Sequence, residues 1–376
     1  MVTVLITLVV LPFPVQEVEL KVAGKSTVLM DVATGTVLYE SNPHDQLAPA
    51  SVTKVMTMLL IMEAVDSGKI TMTDTVTASE AAAAKGGSQI YLKAGETMSV
   101  SDMLKSIAVS SANDCACAMA EHIAGSEEAF VAQMNRKAAE LGMKDTHFVN
   151  CTGLDDGENA AEHRTSAYDI ALMSRELLKN HPDIKKFTTI WMDTVRNGTF
   201  GLSNTNKLVR FYQGATGLKT GFTSGAGYCL SATAQRDGME LIAVVMGADT
   251  SAHRNAACKQ LLDYGFANYA VIQPELTEPE PVAVKLGRQN TVEAVLGSRE
   301  GMLVDKGQKG NVTMELSMDG PVTAPVSRGQ RLGTLTVKTG EQVLQEVPLV
   351  AAEAVERMSF GDLFGMVLRR TAMAKV

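Results

Sequence analysis

Aromatic residues are scarce: they are 5% of the 376 residues, with a single tryptophan. Trp191 and the seven tyrosines do not recur at a spacing that could stack successive bases. Positive charge is also in deficit, with a net charge of −8, so there is no basic excess to neutralise phosphates. Both absences exclude a nucleic-acid partner. No apolar run approaches the roughly 20 residues that a membrane-crossing helix needs. The five cysteines (Cys115, Cys117, Cys151, Cys229 and Cys258) form no CxxC pair and no His/Cys cluster with zinc spacing. They read as buried free thiols, with a disulfide as the alternative. His44, His122, His147, His163, His181 and His253 show no ligand spacing and read as structural. No metal and no cofactor is expected.

What is present suits two domains, because a chain of this length with 45% hydrophobic residues exceeds one ordinary core. Residues 1–19 hold an apolar run, Val2 to Leu11, of export-leader length but without a basic start; a buried first strand is the alternative. Residues 20–270 form the first expected domain. It opens with a hairpin, KSTVLMDVATGTVLYE, turning at Gly35. An apolar helix follows Ser51, with Val55, Met58, Leu59 and Met62 on one face. Two helical pieces then flank Ser110-Ser111-Ala112-Asn113; Ser99 with Asp102 marks the first start. The helix EEAFVAQMNRKAAELG stops at Gly142, and another begins near Ser166. After Lys219 the mode changes to two strands, residues 227–234 and 239–247, and a last helix. The expected class is α/β in the α+β sense, an antiparallel sheet covered by helices.

The proline- and acid-rich QPELTEPEP reads as a linker. Residues 275–352 carry only short strands with regular turns, expected as a small all-β sandwich. Residues 353–376 place Phe360, Leu363, Phe364, Val367 and Leu368 on one helical face, with Arg369, Arg370 and Lys375 at the far end. That pattern fits a helix lying in a membrane interface; a helix docked on its own domain is the alternative.

The chemistry centres on LAPASVTKVMT. Ser51 and Lys54 share a face if Ser51 opens the helix. A serine hydroxyl needs a base to become a nucleophile, and burial with the helix dipole disfavours the charge on a lysine. Alone, S-x-x-K is a weak signal. It gains weight from Ser111-Ala112-Asn113 in the helix break and from Lys219-Thr220-Gly221-Phe222-Thr223. Gly221 allows a substrate backbone close to the strand. Lys219 brings charge, and Thr220 and Thr223 bring hydroxyls for a carboxylate. The order S-x-x-K, S-x-N, K-T-G is the signature of penicillin-binding proteins and serine β-lactamases.

On these motifs, and on GGSQIYLKAGE, SSANDCACAMAEHIAGSEEAF, ELGMKDTHFVN, TSAYDIALMSREL, NTNKL and GLKTGFTSGAGYCLSATAQRDGMELIAVVMG, the chain resembles the low-molecular-mass penicillin-binding proteins that are D-alanyl-D-alanine carboxypeptidases, the DacF-like type in particular. The resemblance runs from about residue 26 to the C-terminus. It implies a β-lactamase-like transpeptidase domain, a C-terminal β-domain and an amphipathic membrane anchor. It also implies an extracytoplasmic enzyme acting on peptidoglycan stem peptides ending in D-Ala–D-Ala and acylated by β-lactams. By resemblance, Ser51 is the nucleophile, Lys54 its base and Ser111 the relay to the leaving amine. Asn113 holds the substrate and Lys219 steers its carboxylate, while the backbone N–H groups of Ser51 and Phe222 form the oxyanion hole. Arg254 matches an arginine near the carboxylate site of some relatives.

Two departures stand out: Phe222 replaces a histidine found after K-T-G in some relatives, and the middle motif is S-A-N where S-G-N is common. Two other functions compete. A serine β-lactamase would need a deacylating glutamate, for which Glu158 and Glu162 are available. A silent peptidoglycan-binding scaffold would have no chemical use for Lys54 and Ser111 together.

Overall fold

MELIAVVMGA is apolar at almost every position, the pattern of a strand covered on both faces. In the computed structural model it is the centre of a five-stranded sheet. The structure describes residues 20–156, 159–276 and 279–373, with side chains to residue 367, so the apolar leader lies outside the described residues. The strands are β1 (Ser26–Asp31), β2 (Val37–Ser41), β3 (Ala215–Thr223), β4 (Gly227–Arg236) and β5 (Met239–Ala248). Their order is β2-β1-β5-β4-β3, antiparallel throughout. The early hairpin and the late strands thus share one sheet.

The period-2 alternation of β5 divides the core. Ile242, Val244 and Met246 face a block of helices, and Leu241, Ala243 and Val245 face the helix α6 (Ser251–Asn268) through Ala257, Cys258, Leu261 and Leu262. Inside the block lies α1 (Lys54–Asp66), buried at every residue from Lys54 to Met62. The one-face reading of this helix was too narrow: a helix apolar all round belongs at the centre of its block. Around it stand α2 (Val100–Ser110), α3 (Asn113–Ala124), α4 (Glu127–Glu140) and α5 (Ala167–Asn180). Their starts are fixed by serine caps: Ser99, Ser126 and Ser166 accept from the N–H three residues on, at 3.1, 3.1 and 3.2 Å. All five cysteines are free and buried.

The sequence reading gave two late strands; the structure has three, because the K-T-G residues sit inside their own nine-residue strand β3 at the sheet edge. ATGLKTGFT holds two glycines and no apolar alternation, so it carries none of the usual strand signals.

Beyond α6, Tyr269–Ile272 pairs antiparallel with Met302–Asp305 and ties the first unit to the C-terminal strands. Those form a three-stranded and a four-stranded sheet around Val284, Val292, Leu332, Leu335, Val347 and Leu349. The chain ends in α7 (Phe360–Met373). Ser359 and Asp362 exchange bonds in a capping box, 3.2 and 2.9 Å, and Arg288 reaches both Glu356 and Asp362. Phe360, Phe364 and Val367 are exposed on it. No helix among the described residues is long and apolar enough to cross a membrane.

Candidate active site

Ser51 does not open the α-helix itself; it sits in a 3-10 turn, Ala50–Thr53, that runs straight into α1, whose first residue is Lys54. The spacing nevertheless has the expected effect. Lys54 Nζ donates to Ser51 Oγ at 3.0 Å and to the Thr152 carbonyl at 2.7 Å. The lysine is fully buried, and burial lowers its pKa from 10.5 to about 7, against a weaker upward pull from Cys151 and Asp114. An amine that is half deprotonated near neutrality, touching a hydroxyl, is an activated serine.

The Thr152 carbonyl is held by its own loop. The Asn150 side chain accepts from the backbone N–H of Thr152 (3.1 Å) and of Gly153 (2.6 Å). The Cys151 N–H donates to Glu127 (3.1 Å), whose carboxylate also pairs with Lys85. Gly153 has φ +83, and a Cβ there would lie 1.8 Å from the Ala50 carbonyl oxygen. Only glycine lets this loop press against the turn that carries Ser51.

The middle motif is built on a deliberate break. Ser111 ends α2 in the left-handed region (φ +64), and Asn113 starts α3. Ser111 and Asn113 are both buried. Asn113 Nδ2 donates to the Gly86 carbonyl at 2.7 Å, while its Oδ1 is buried with no partner among the described residues. An orphaned buried acceptor is costly, so this oxygen is free for a donor from a bound molecule. Next to it the Asp114 carboxylate accepts from the N–H groups of Ile90 and Leu92, pinning the loop that supplies Gly86.

The third motif meets the first. A Cβ on Gly221 would fall 2.7 Å from the Pro49 carbonyl oxygen and 3.1 Å from the Ser51 nitrogen, so β3 lies directly against the nucleophile turn. Lys219 is fully buried, with Nζ donating to the Thr220 carbonyl at 2.8 Å. Burial first, then the charges of Lys54 and Arg254, push its pKa well below the usual lysine value. The Thr220 hydroxyl shares a hydrogen bond with Thr205 (2.7 Å), and the Thr223 hydroxyl accepts from the Ala226 N–H (3.1 Å). Phe222 is 54% exposed and its ring lies tilted against Tyr228, with centroids 4.3 Å apart. Arg254 is a buried residue of α6, bonded to Asn255 and 5.8 Å from the Tyr228 ring, so it is no surface arginine.

The structure therefore brings together Ser51, Lys54, Lys219, Thr220 and Gly221, with Arg254 near Lys219, while Ser111 and Asn113 stand at the break between α2 and α3. Sequence reasoning missed the Thr152 carbonyl and Thr205; the latter sits in NTNKL, a stretch that matched the family without suggesting a role. Glu162 is exposed, and Glu158 lies outside the described residues. His181 and Glu63 sit with Glu176 in one cluster whose ligand atoms lie within 4.8 Å, but Asp66 and Lys137 already pair with the first two.

A family model described as D-alanyl-D-alanine carboxypeptidase matches residues 14–250. The chain is 48% identical to the D-alanyl-D-alanine carboxypeptidase DacF of Bacillus subtilis over 91% of its own length and 88% of that protein. The chain belongs to the D-alanyl-D-alanine carboxypeptidase family. It is a serine-type carboxypeptidase, a hydrolase. Residues 274–357 match the penicillin-binding protein 5 C-terminal domain. Penicillin-binding protein 5 of Haemophilus influenzae superposes with a TM-score of 0.71 at 31% identity, covering 90% of this chain and 98% of that one. Penicillin-binding protein D2 of Listeria monocytogenes, solved in an ampicillin-bound form, gives 0.60 at 32% identity over 66% of this chain and 99% of that one. As in this family, the first unit mixes helices with an antiparallel sheet, and the second is all β.

Proposed function

We propose that this carboxypeptidase removes the terminal D-alanine of peptidoglycan stem peptides through an ester on Ser51. The observation that carries the reading is the contact of the buried Lys54 amine with Ser51 Oγ, 3.0 Å. Ser51 Oγ attacks the carbonyl between the two D-alanines and its proton passes to Lys54 Nζ. The oxyanion forms against the backbone N–H groups of Ser51 and Phe222, donors worth about 3 kcal/mol each in comparable sites. Ser111 relays a proton to the leaving nitrogen, the C–N bond breaks and free D-alanine departs. Water then attacks the ester, Lys54 takes its proton and returns it to Ser51 Oγ as the acyl–Oγ bond breaks and the shortened peptide leaves. Asn113 Oδ1 accepts from a substrate amide. Lys219, Thr220, Thr223 and Arg254 receive the terminal carboxylate, whose negative charge favours the ammonium form of Lys219. A β-lactam reacts by the same attack, but its leaving nitrogen stays tethered.

Residues 20–270 serve as the catalytic domain and 275–352 as a β-domain that holds it off a surface. The enzyme works outside the cytoplasm, with residues 353–376 as its anchor and α7 lying on the membrane. The exposed Phe360, Phe364 and Val367 support that reading. Removing residues 358–376 should give active protein that no longer sediments with anionic vesicles; continued sedimentation overturns the anchor. The catalytic reading is tested by mixing the protein with penicillin, following intact mass and mapping the adduct. A one-to-one adduct on Ser51, with D-alanine released from a D-Ala–D-Ala peptide, is expected. Rapid turnover of penicillin would instead make the enzyme a β-lactamase, and no adduct at all a scaffold.

A further inference from the structure

His163 is buried, 3% exposed, in the loop that precedes α5. Its ring joins two segments. Nδ1 accepts the backbone N–H of Val149 at 3.1 Å, and Nε2 lies 2.8 Å from Thr53 Oγ1. A backbone N–H can only donate, so Nδ1 carries the lone pair and Nε2 carries the proton. Nε2–H therefore donates to Thr53 Oγ1, and the threonine hydroxyl passes its own hydrogen to the Ala50 carbonyl at 2.8 Å. The chain of bonds has one direction and needs a neutral ring.

Both ends of that chain lead to the catalytic pair. Ala50 and Thr53 bracket Ser51 in its turn. Val149 opens the stretch that ends in Thr152 and Gly153, where the Thr152 carbonyl takes the other hydrogen of Lys54. Lys54 Nζ is thus suspended between a hydroxyl on one segment and a carbonyl on the other, and His163 bonds directly to both segments. We propose that His163 is a positioning residue, its neutral imidazole setting the spacing between the turn that carries Ser51 and the loop that holds Lys54. This rests on the proposed roles of Ser51 and Lys54.

The surroundings keep the ring neutral. Burial first, then His147, Arg164 and Lys54, all disfavour its cation and lower its pKa from 6.5 to about 4. Among the described residues no carboxylate is bonded to it; the Phe148 ring packs edge-on at 5.7 Å. Protonation would remove the acceptor that Val149 needs.

The test is transient kinetics of acylation by a chromogenic cephalosporin, from about pH 5.5 to 9. It separates the acylation rate constant from the dissociation constant of the pre-covalent complex. Asparagine at this site can still accept from Val149 but is too short to reach Thr53. His163→Asn should slow acylation at least about tenfold, with the dissociation constant within about twofold, because the carboxylate subsite on β3 is untouched. The pH inflection should move up towards an ordinary lysine, since a loosened loop admits water to Lys54. His163→Gln, long enough to reach Thr53, should recover part of the rate. Should the Asn variant fail to fold, Thr53→Val, which deletes only the hydroxyl link, is read the same way. Wild-type rate and inflection in folded variants would overturn the proposal, as would a loss confined to the dissociation constant. Failure of the wild-type protein to acylate at all would instead sink the Ser51 reading.

Discussion

Ser51→Ala should fold normally, form no adduct with penicillin and release no D-alanine. Ser51 is only half-buried, and losing its hydroxyl leaves Lys54 still bonded to the Thr152 carbonyl. The cost to the fold is then one hydrogen bond, about 1 kcal/mol. The cost to the reaction is of another order. No other hydroxyl is bonded to the buried amine among the described residues, so covalent chemistry has no substitute nucleophile. Loss of the nucleophile in other serine hydrolases costs about 10⁶-fold, and a fall of at least about 10⁵-fold is expected here. The assay follows D-alanine from a synthetic peptide ending in D-Ala–D-Ala, alongside intact mass after penicillin. Release at the native rate would show that Ser51 is not the nucleophile. The Ser51→Ala protein should still bind the peptide, since the groups proposed to grip its carboxylate lie on β3 and α6.

Much of this candidate site was legible because the side chains proposed to carry its chemistry stand in a fixed order. The Ser51–Lys54 pair, Asn113 and Lys219 are separated widely in sequence, yet each belongs to a short pattern whose chemistry can be argued. The sheet centre was legible too, since a run such as MELIAVVMGA has few places to go except between two layers. What could not be read was carried by backbone or by lone residues. The carbonyl that holds Lys54 comes from Thr152, and any residue type would supply it. Its aim depends on Asn150, Glu127 and the left-handed Gly153, none of which forms a motif with Ser51. His163 is a single histidine with no partner spacing, so its bridge between Thr53 and Val149 appears only in three dimensions. Arg254 could be named only through the family resemblance, because nothing in SAHRNAACKQ marks which helix face turns inward; the structure buries it. Strand β3 was hidden for the reason that makes it useful. Its glycines and small polar residues weaken the strand signal while letting a turn and a substrate lie against it.

Lys54→Met should lose activity and gain stability at once. Methionine is close in length, so the fully buried site keeps its packing. Without an amine, acylation should fall by about 10²–10⁴-fold, the usual contribution of a positioned base. The pH profile carries the same information. In the native enzyme the working form of Lys54 is the free amine, so acylation rises with pH, bends near pH 7 and levels off above it. Below the bend it should drop about tenfold per pH unit. That bend should vanish in Lys54→Met. The stability change has the opposite sign. An exposed lysine in the unfolded chain holds its proton up to about pH 10.5, whereas the folded chain gives it up near 7. Folding between these two values therefore releases a proton, and this group's burden on the fold grows as pH falls from about 10.5 to 7. At about 1.4 kcal/mol per pH unit, the burden is several kcal/mol at pH 7. Replacing it should raise the denaturation midpoint at neutral pH, with the gain shrinking towards pH 10. A variant that is both inactive and less stable at pH 7 would mean that Lys54 is buried as a stabilising cation, and a cation cannot accept the serine proton.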